Sequence, residues 1–277
     1  TGSGRDNDMQ QNFPEHAWGK RYATTPFSKA SSNSSFQANE FQTSVYKIIL
    51  KEPGTTVKKN GVTLTVNGNV FKYSSNTADY IEADKPIMVA QYMSGTGTCN
   101  GGQGDPEMIY LSPIEQGIKN IGFLRNSKEA IGVNYLTLTV PTAGVASLRI
   151  DNSQLFSHTY PHPNLPGYTV VVKGWTISAG SYEQCLVKCD STFTAITYGL
   201  GGAESYGFNA GTFLKNLNAE GEVFNKPDTS EKPRTFTCVG TPMEISALIA
   251  YKPTSINWRL STLGSVVSPN ADVIVSN

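Results

Sequence analysis

Short runs of alternating apolar and polar residues punctuate this chain, and they carry the period of two that marks β-strands. In Tyr135-Leu-Thr-Leu-Thr-Val140, the side chains of Leu136, Leu138 and Val140 fall on one face. Similar runs predict strands over 18–27, 44–51, 55–58, 62–66, 69–73, 78–82, 86–93, 107–112, 119–124 and 145–150. Asn60-Gly61 and Asn67-Gly68 are pairs that accept the positive φ angles of a two-residue hairpin turn. Only Ile114 to Lys119 reads as a helical turn. The run from Ile87 to Tyr92 is apolar on both faces apart from Gln91, which places it inside a layered structure rather than at an edge. Pro86 is read as the first residue of that strand, where no ladder donor is needed.

The central run leads into a Gly-rich stretch, Gly95 to Gly104, which supplies the backbone angles of a long surface loop. Asp84–Gly95 aligns without gaps on Asp190–Gly201, matching Tyr92 with Tyr198, and Asn60-Gly61 has a counterpart in Asp151-Asn152. A second Gly-rich loop, Gly199 to Gly211, follows the second copy. The pattern predicts an all-β protein: two tandem related β-sandwich lobes with Gly-rich loops, plus a short C-terminal β segment. The expected boundaries are a leader over 1–17, lobes over 18–140 and 141–219, and a charged linker over 220–233. Residues 234–277 then read as the start of an immunoglobulin-like or polycystic-kidney-disease-type β domain, or as packed C-terminal strands. Ser28 to Ser35 reads as a Ser-rich connector.

Composition narrows the function classes. Charged residues make up 16% of the chain, with Lys plus Arg and Asp plus Glu at 22 each, against roughly 25% charged in an average globular domain. No basic run points to nucleic acid, and no apolar run approaches the roughly 20 residues that span a bilayer. Cys99, Cys185, Cys189 and Cys238 are disulfide candidates with three complete pairings open, a pattern that fits an exported protein, with free cytosolic thiols as the alternative. Zinc is the weaker reading, because Cys185 and Cys189 lack a second close-spaced ligand pair.

Candidate chemistry is sparse. His158 and His162 have helical metal-ligand spacing, but Pro161, Pro163 and Pro166 forbid a helix there, so they read as loop residues. No nucleophile elbow, zincin or phosphate-loop motif occurs. Asp105 and Glu107 beside the first Gly-rich loop are the calcium candidates, set against a turn cap at Asp105 and a solvent-facing Glu107. Asp84 and Asp190 read as caps of strand-entry turns. The remaining candidates are ligand-binding: the rings of Tyr92, Tyr198, Tyr206 and Phe208, with Gly101, Gly102 and Gly104 of the first loop. Rings bury area at low entropy cost, which suits glycan and protein recognition. Tyr206 leads them, because its Gly-rich context argues against a packed strand.

Ala83-Asp84-Lys85-Pro86, Val89-Ala90-Gln91-Tyr92-Met93, Gly104-Asp105-Pro106-Glu107-Met108 and Pro113-Ile114-Glu115-Gln116 resemble the N-terminal domain family of the IgGFc-binding proteins. Trp18-Gly19-Lys20-Arg21-Tyr22 with Thr25-Pro26-Phe27 is similar to that family's opening, and the resemblance runs from about Trp18 to Leu214. It implies an extracellular, β-rich, non-enzymatic module of a large modular surface protein. Its bacterial members imply adhesion or gliding and export by a type IX-like system. Glycans, host or surface proteins and neighbouring domains of the same long chain are the expected partners, with no nucleic acid and no membrane insertion. A structural stalk is the alternative. A carbohydrate-active enzyme is disfavoured, because no convergent acid pair can be named.

Overall fold

The computed structural model of the protein describes residues 9–95, 103–128, 130–177, 184–214, 220–225, 240–249, 254–266 and 271–276. It divides into two units, residues 1–215 and 216–277, considered in turn.

The first unit is all-β and holds two sheets of seven strands each. One sheet is built from β1 (Gly19–Ala23), β4 (Ser44–Leu50), β5 (Val57–Lys59), β6 (Val62–Thr63), β7 (Val70–Ser75), β8 (Tyr80–Met93) and β9 (Glu107–Tyr110). Between β1 and β4 a separate hairpin forms from β2 (Ser28–Ala30) and β3 (Phe36–Phe41). The second sheet holds β10 (Ile118–Leu124), β11 (Ile131–Pro141), β12 (Arg149–Ile150), β13 (His158–Pro161), β14 (Tyr168–Thr176), β15 (Gln184–Gly201) and β16 (Ser205–Asn209).

The two sheets are copies of one plan, legible residue by residue. Each has a long central strand, β8 or β15, shared between two layers. Its first half pairs with β1 and β5 in one copy and with β10 and β12 in the other. Its second half pairs with β4 and β9, or with β11 and β16. The aligned stretches Asp84–Gly95 and Asp190–Gly201 lie at corresponding places, and the registers agree. Arg21 opposes Glu82 and Asn120 opposes Lys188, each just after a register break in which one residue, Lys20 or Lys119, spans residues 83–86 or 189–192 of the central strand. Even a side-chain bond is repeated: Asn60 Oδ1 accepts from Tyr80 N at 2.8 Å, and Asp151 Oδ1 accepts from Leu186 N at 2.8 Å. All four turn residues, Asn60, Gly61, Asp151 and Asn152, have positive φ. The second copy has one strand without a first-copy counterpart in that position, β13 along the outer edge of β14.

This duplication moves the expected lobe boundary. β10 and β11, placed with the first lobe on sequence, pair with β15 and belong to the second. The lobes therefore meet near Pro113–Gly117 rather than at 140/141, because the repeat begins at the strand that pairs with the first half of the centre. Pro86 also moves from the first residue of a strand to the interior of β8. It lies where β5 pairing ends at Ala83 and β4 pairing begins at Ile87, so no ladder bond is lost.

Each lobe closes its two layers over one core. Phe123, Ile150, Cys185 and Val187 face Leu136, Leu138, Val171 and Ala195 in the second lobe. Tyr22, Val57 and Ile81 face Tyr46, Ile48, Ile87 and Val89 in the first, and Val133, Tyr135, Val170, Val172, Ile196 and Tyr198 of the second lobe join the same cluster. Ile87, Met88, Val89, Ala90 and Gln91 are all fully buried, as their two-faced apolar pattern predicts.

The Ser-rich connector is instead part of the β2–β3 hairpin. It folds because Tyr135 and Tyr198 give it partners: Tyr135 Oη donates to Lys29 O and accepts from Gln37 N, and Tyr198 Oη accepts from Ser28 N at 2.7 Å. The leader is not a free tether over its described part either. Ala17 is buried, and Gln10 bridges the last strands of the two lobes, accepting from Tyr110 N and donating to Gly207 O. The Trp18–Tyr22 and Pro113–Gln116 stretches meet at the lobe junction. Arg21 Nε lies 2.9 Å from Glu115 Oε1, Gln116 Nε2 donates to Ala17 O, and Gly19 packs so close to Pro113 that a Cβ there would overlap its ring.

In the second unit, β17 (Glu220–Asn225) pairs with β18 (Met243–Leu248), and β19 (Ser255–Trp258) pairs with β20 (Val273–Ser276). The start of the expected charged linker is thus strand β17. Residues 226–233 of that linker lie outside the described residues.

Candidate binding surface

The two Gly-rich stretches meet at one end of the first unit. Gly104 N donates to Gly201 O at 2.7 Å, and Ser205 Oγ donates to Asp105 O at 2.7 Å. Gly104 takes φ 91°, a left-handed value that glycine reaches without strain. Gly101 and Gly102 lie outside the described residues. The second stretch is not a loop as expected: Gly199 to Gly201 end β15, and a tight turn leads directly into β16.

Tyr206 therefore sits on a strand, opposite Gly199, where its ring lies over the missing side chain. This corrects the expectation that its Gly-rich context keeps it off a packed strand. Glycine here makes room for the ring. Its cross-strand row continues through Asn134 on β11 to Trp175 on β14. Tyr206 Oη donates to Asn134 Oδ1 and accepts from Asn126 N at 3.4 Å. Burial pushes its pKa up to about 12, so the phenol is protonated at neutral pH. Phe208 stacks against Tyr206 with ring centroids 5.7 Å apart. Beside them the Arg125 guanidinium lies 4.5 Å from the centre of the Trp175 ring, and Lys173 Nζ lies 5.8 Å from it. Two half-buried aromatics, an Arg-stacked indole and two amides thus share one end of the second lobe with the junction of the Gly-rich stretches.

The other candidates separate from this group. Tyr198 is fully buried, stacked on Tyr135 at 5.0 Å and edge-on to Phe27 at 4.8 Å, so it is a core residue and not a ligand contact. The sequence alignment matched it with Tyr92, but the second lobe packs that face against the first lobe and the β2–β3 hairpin. Tyr92 is half-buried under Lys47, whose Nζ lies 4.3 Å from the ring centre. Asp105 contributes its backbone carbonyl to Ser205, and Glu107 Oε1 accepts from Met108 N at 2.9 Å. Among the described residues no three His, Cys, Asp or Glu side chains gather, whereas calcium takes six to eight oxygens. His158 lies in β13 against Phe41 and Tyr160 rather than in a loop. Asp84 accepts from Thr56 N at 2.8 Å, which fixes the turn into β5.

Cys185 and Cys189 are buried free thiols, which corrects the reading of them as disulfide partners. Four residues apart on one strand, they are roughly 13 Å from each other at about 3.3 Å per residue, and their face is closed by the second-lobe core. Cys99 and Cys238 lie outside the described residues. Burial pushes the Cys185 thiol up to about 12. Both thiols are expected to resist alkylation in the native protein and to react on unfolding, as mass-spectrometric mapping checks. Modification of either one at the native rate of a surface thiol contradicts this placement.

Trp175, Arg125, Asn134 and Asn126 were not singled out on sequence. The available signal is position: Arg125 directly follows the strand that the alternation predicts over 119–124.

Residues 1–199 match the protein family described as IgGFc binding protein. The chain belongs to that family. No curated protein and no solved structure shows significant similarity to it. The IgGFc binding family is one of binding domains rather than a known enzyme family, and its domains are typically extracellular. No helix among the described residues is long and apolar enough to cross a membrane.

Proposed function

We propose that this member of the family is a non-enzymatic extracellular binding module of a large bacterial surface protein, acting in adhesion or gliding. The observation that carries the reading is the gathering of both Gly-rich stretches beside Tyr206, Phe208, Trp175 and Arg125. The partly exposed edges of these rings suit a glycan or a protein loop, while Phe208 and Trp175 also pack against the second-lobe core and Asn134 and Arg125 are buried. The second unit fits the role of a neighbouring domain in a longer chain.

The test is binding of the purified protein to immunoglobulin Fc, mucin and a broad glycan array, with and without calcium. Saturable binding to any of these supports the module. Silence across the panel favours the stalk reading, which the full burial of Tyr198 and the side-chain ties between the lobes also suit.

A further inference from the structure

The duplication of the lobes fills one strand position in the second copy that the first copy leaves open. In the second lobe β13 flanks the outer side of β14, with His158 opposite Val172, Thr159 opposite Val171 and Tyr160 opposite Val170. The first-lobe counterpart of β14 is β7: each pairs with the strand beside the central one, β7 with β4 and β14 with β11. The registers fix the match. Val89 and Ala195 are aligned; Val89 opposes Ile48, which opposes Phe71, and Ala195 opposes Leu138, which opposes Val171. Val70 therefore stands where Val170 does, and Lys72 where Val172 does.

β7 is the last strand of its sheet on that side, and among the described residues no other strand pairs with it. In an antiparallel ladder the bonded residues alternate. Leu50 N donates to Asn69 O at 2.9 Å, so Phe71, Tyr73 and Ser75 bond inward to β4 while Val70, Lys72 and Ser74 turn their N–H and C=O groups outward. The second lobe has the same alternation: His162 N donates to Tyr168 O at 2.9 Å, and β13 takes up the outward groups of Val170 and Val172. Val70 is 50% exposed, Lys72 and Ser74 are exposed, and Phe71 and Tyr73 lie half-buried at the margin of the core. Such an edge accepts an extended segment through main-chain bonds, with alternate side chains supplying selectivity.

Charge selects the occupant. Lys72 lies directly opposite Lys47 on the same face, and no carboxylate among the described residues pairs with either. A second copy is a poor fit. Antiparallel pairing of two β7 edges, in the register that uses all three outward residues, sets Lys72 against Lys72, and like charges directly opposite repel. A foreign strand with a carboxylate at that place meets both lysines instead.

We propose that the outer edge of β7 is a strand-addition site for an extended segment of a partner protein, antiparallel to β7 and carrying Asp or Glu opposite Lys72. The segment takes the place that β13 fills in the second lobe. Its main chain bonds Val70 and Lys72, and the residue opposite Phe71 extends the margin of the first-lobe core. This surface stands on the duplication and is independent of the rings at the Gly-rich junction.

Residue-resolved amide hydrogen exchange of the intact protein tests the site. The probes are synthetic peptides spanning Leu155–Pro163, the β13 segment, that carry His158→Glu or His158→Lys. Without peptide, the amides of Val70, Lys72 and Ser74 are expected to exchange fast while those of Phe71 and Tyr73 are protected. The His158→Glu peptide is expected to slow the three outward amides saturably. It is expected to bind roughly fivefold more tightly than the His158→Lys peptide, the scale of a cross-strand charge pair. Lys72→Glu is expected to reverse that preference. Lys72→Pro removes an outward donor that β4 does not use, and is expected to abolish binding while Phe71 stays protected. No protection by the His158→Glu peptide overturns the site, as does equal binding of the two peptides or an unchanged preference in Lys72→Glu. Outward amides protected without peptide, and more so at higher protein concentration, assign the edge to a second copy and overturn the partner strand.

Discussion

Replacing Tyr198 by alanine is expected to destabilise the first unit by about 3–5 kcal/mol, the range for deleting a large buried aromatic. The side chain is fully buried at the centre of the larger core, where Phe27, Tyr135 and the β2–β3 hairpin converge on it. Its hydroxyl is the acceptor for Ser28 N, so the variant also strands a buried donor. Tyr198→Phe separates the two contributions. It keeps the ring and is expected to cost about 1–3 kcal/mol, the penalty of one unsatisfied buried group. Urea unfolding of the three proteins reads both values. A loss in Tyr198→Ala under about 1 kcal/mol would show that the ring is not core, and would return Tyr198 to the ligand candidates.

Gly201→Ala is expected to be the most damaging substitution of its size. Gly201 ends β15 opposite Ile131, and an added Cβ would overlap Ala130 O and crowd Ala130 C and Ile131 Cα. All three are backbone atoms, of the turn residue Ala130 and of the first residue of β11, so no side-chain rotation relieves the clash and the start of β11 must move. Overpacking typically costs about 1–3 kcal/mol, and a backbone obstacle places this variant at the upper end. The consequence extends beyond stability. Gly201 O accepts from Gly104 N, the bond that joins the two Gly-rich stretches. Gly202→Ala is the matched control, because nothing lies within 4 Å of its Cβ. Gly201→Ala is therefore expected to unfold earlier and to bind more weakly, while Gly202→Ala does neither. Equal behaviour of the pair would remove the junction from the account.

Much of the architecture is legible in the alternation and the turns. The clean period of two in β11, the two-faced apolar run in β8 and the paired turns at Asn60 and Asp151 each record a local constraint. The lobe boundary was misplaced because strand propensity does not reveal partners: β10 and β11 precede the strand they pair with by some sixty residues. The β2–β3 hairpin was invisible for a related reason. Ser and Asn carry no apolar period, and the hairpin is held by tyrosine hydroxyls from the other lobe. Tyr198 and Tyr206 show the limit for site residues. Their sequence surroundings are both Gly-rich, but one ring turns to the inter-lobe core and the other to the end of the sheet.

The measurement that bears most directly on the binding account is the affinity of Trp175→Ala for whichever Fc, mucin or glycan ligand the panel returns. Val62→Ser serves as the reference, since Val62 is 68% exposed on β6 and opposes Lys59 at the far end of the first lobe from the junction of the Gly-rich stretches. Removing a stacked aromatic anchor is expected to weaken binding by about 2 kcal/mol, roughly 30-fold, as at interface hot spots. Val62→Ser is expected to stay within about twofold of wild type, the near-neutral range outside an interface core. Full affinity in Trp175→Ala, with its fold intact, would contradict the placement of the site at this end of the second lobe.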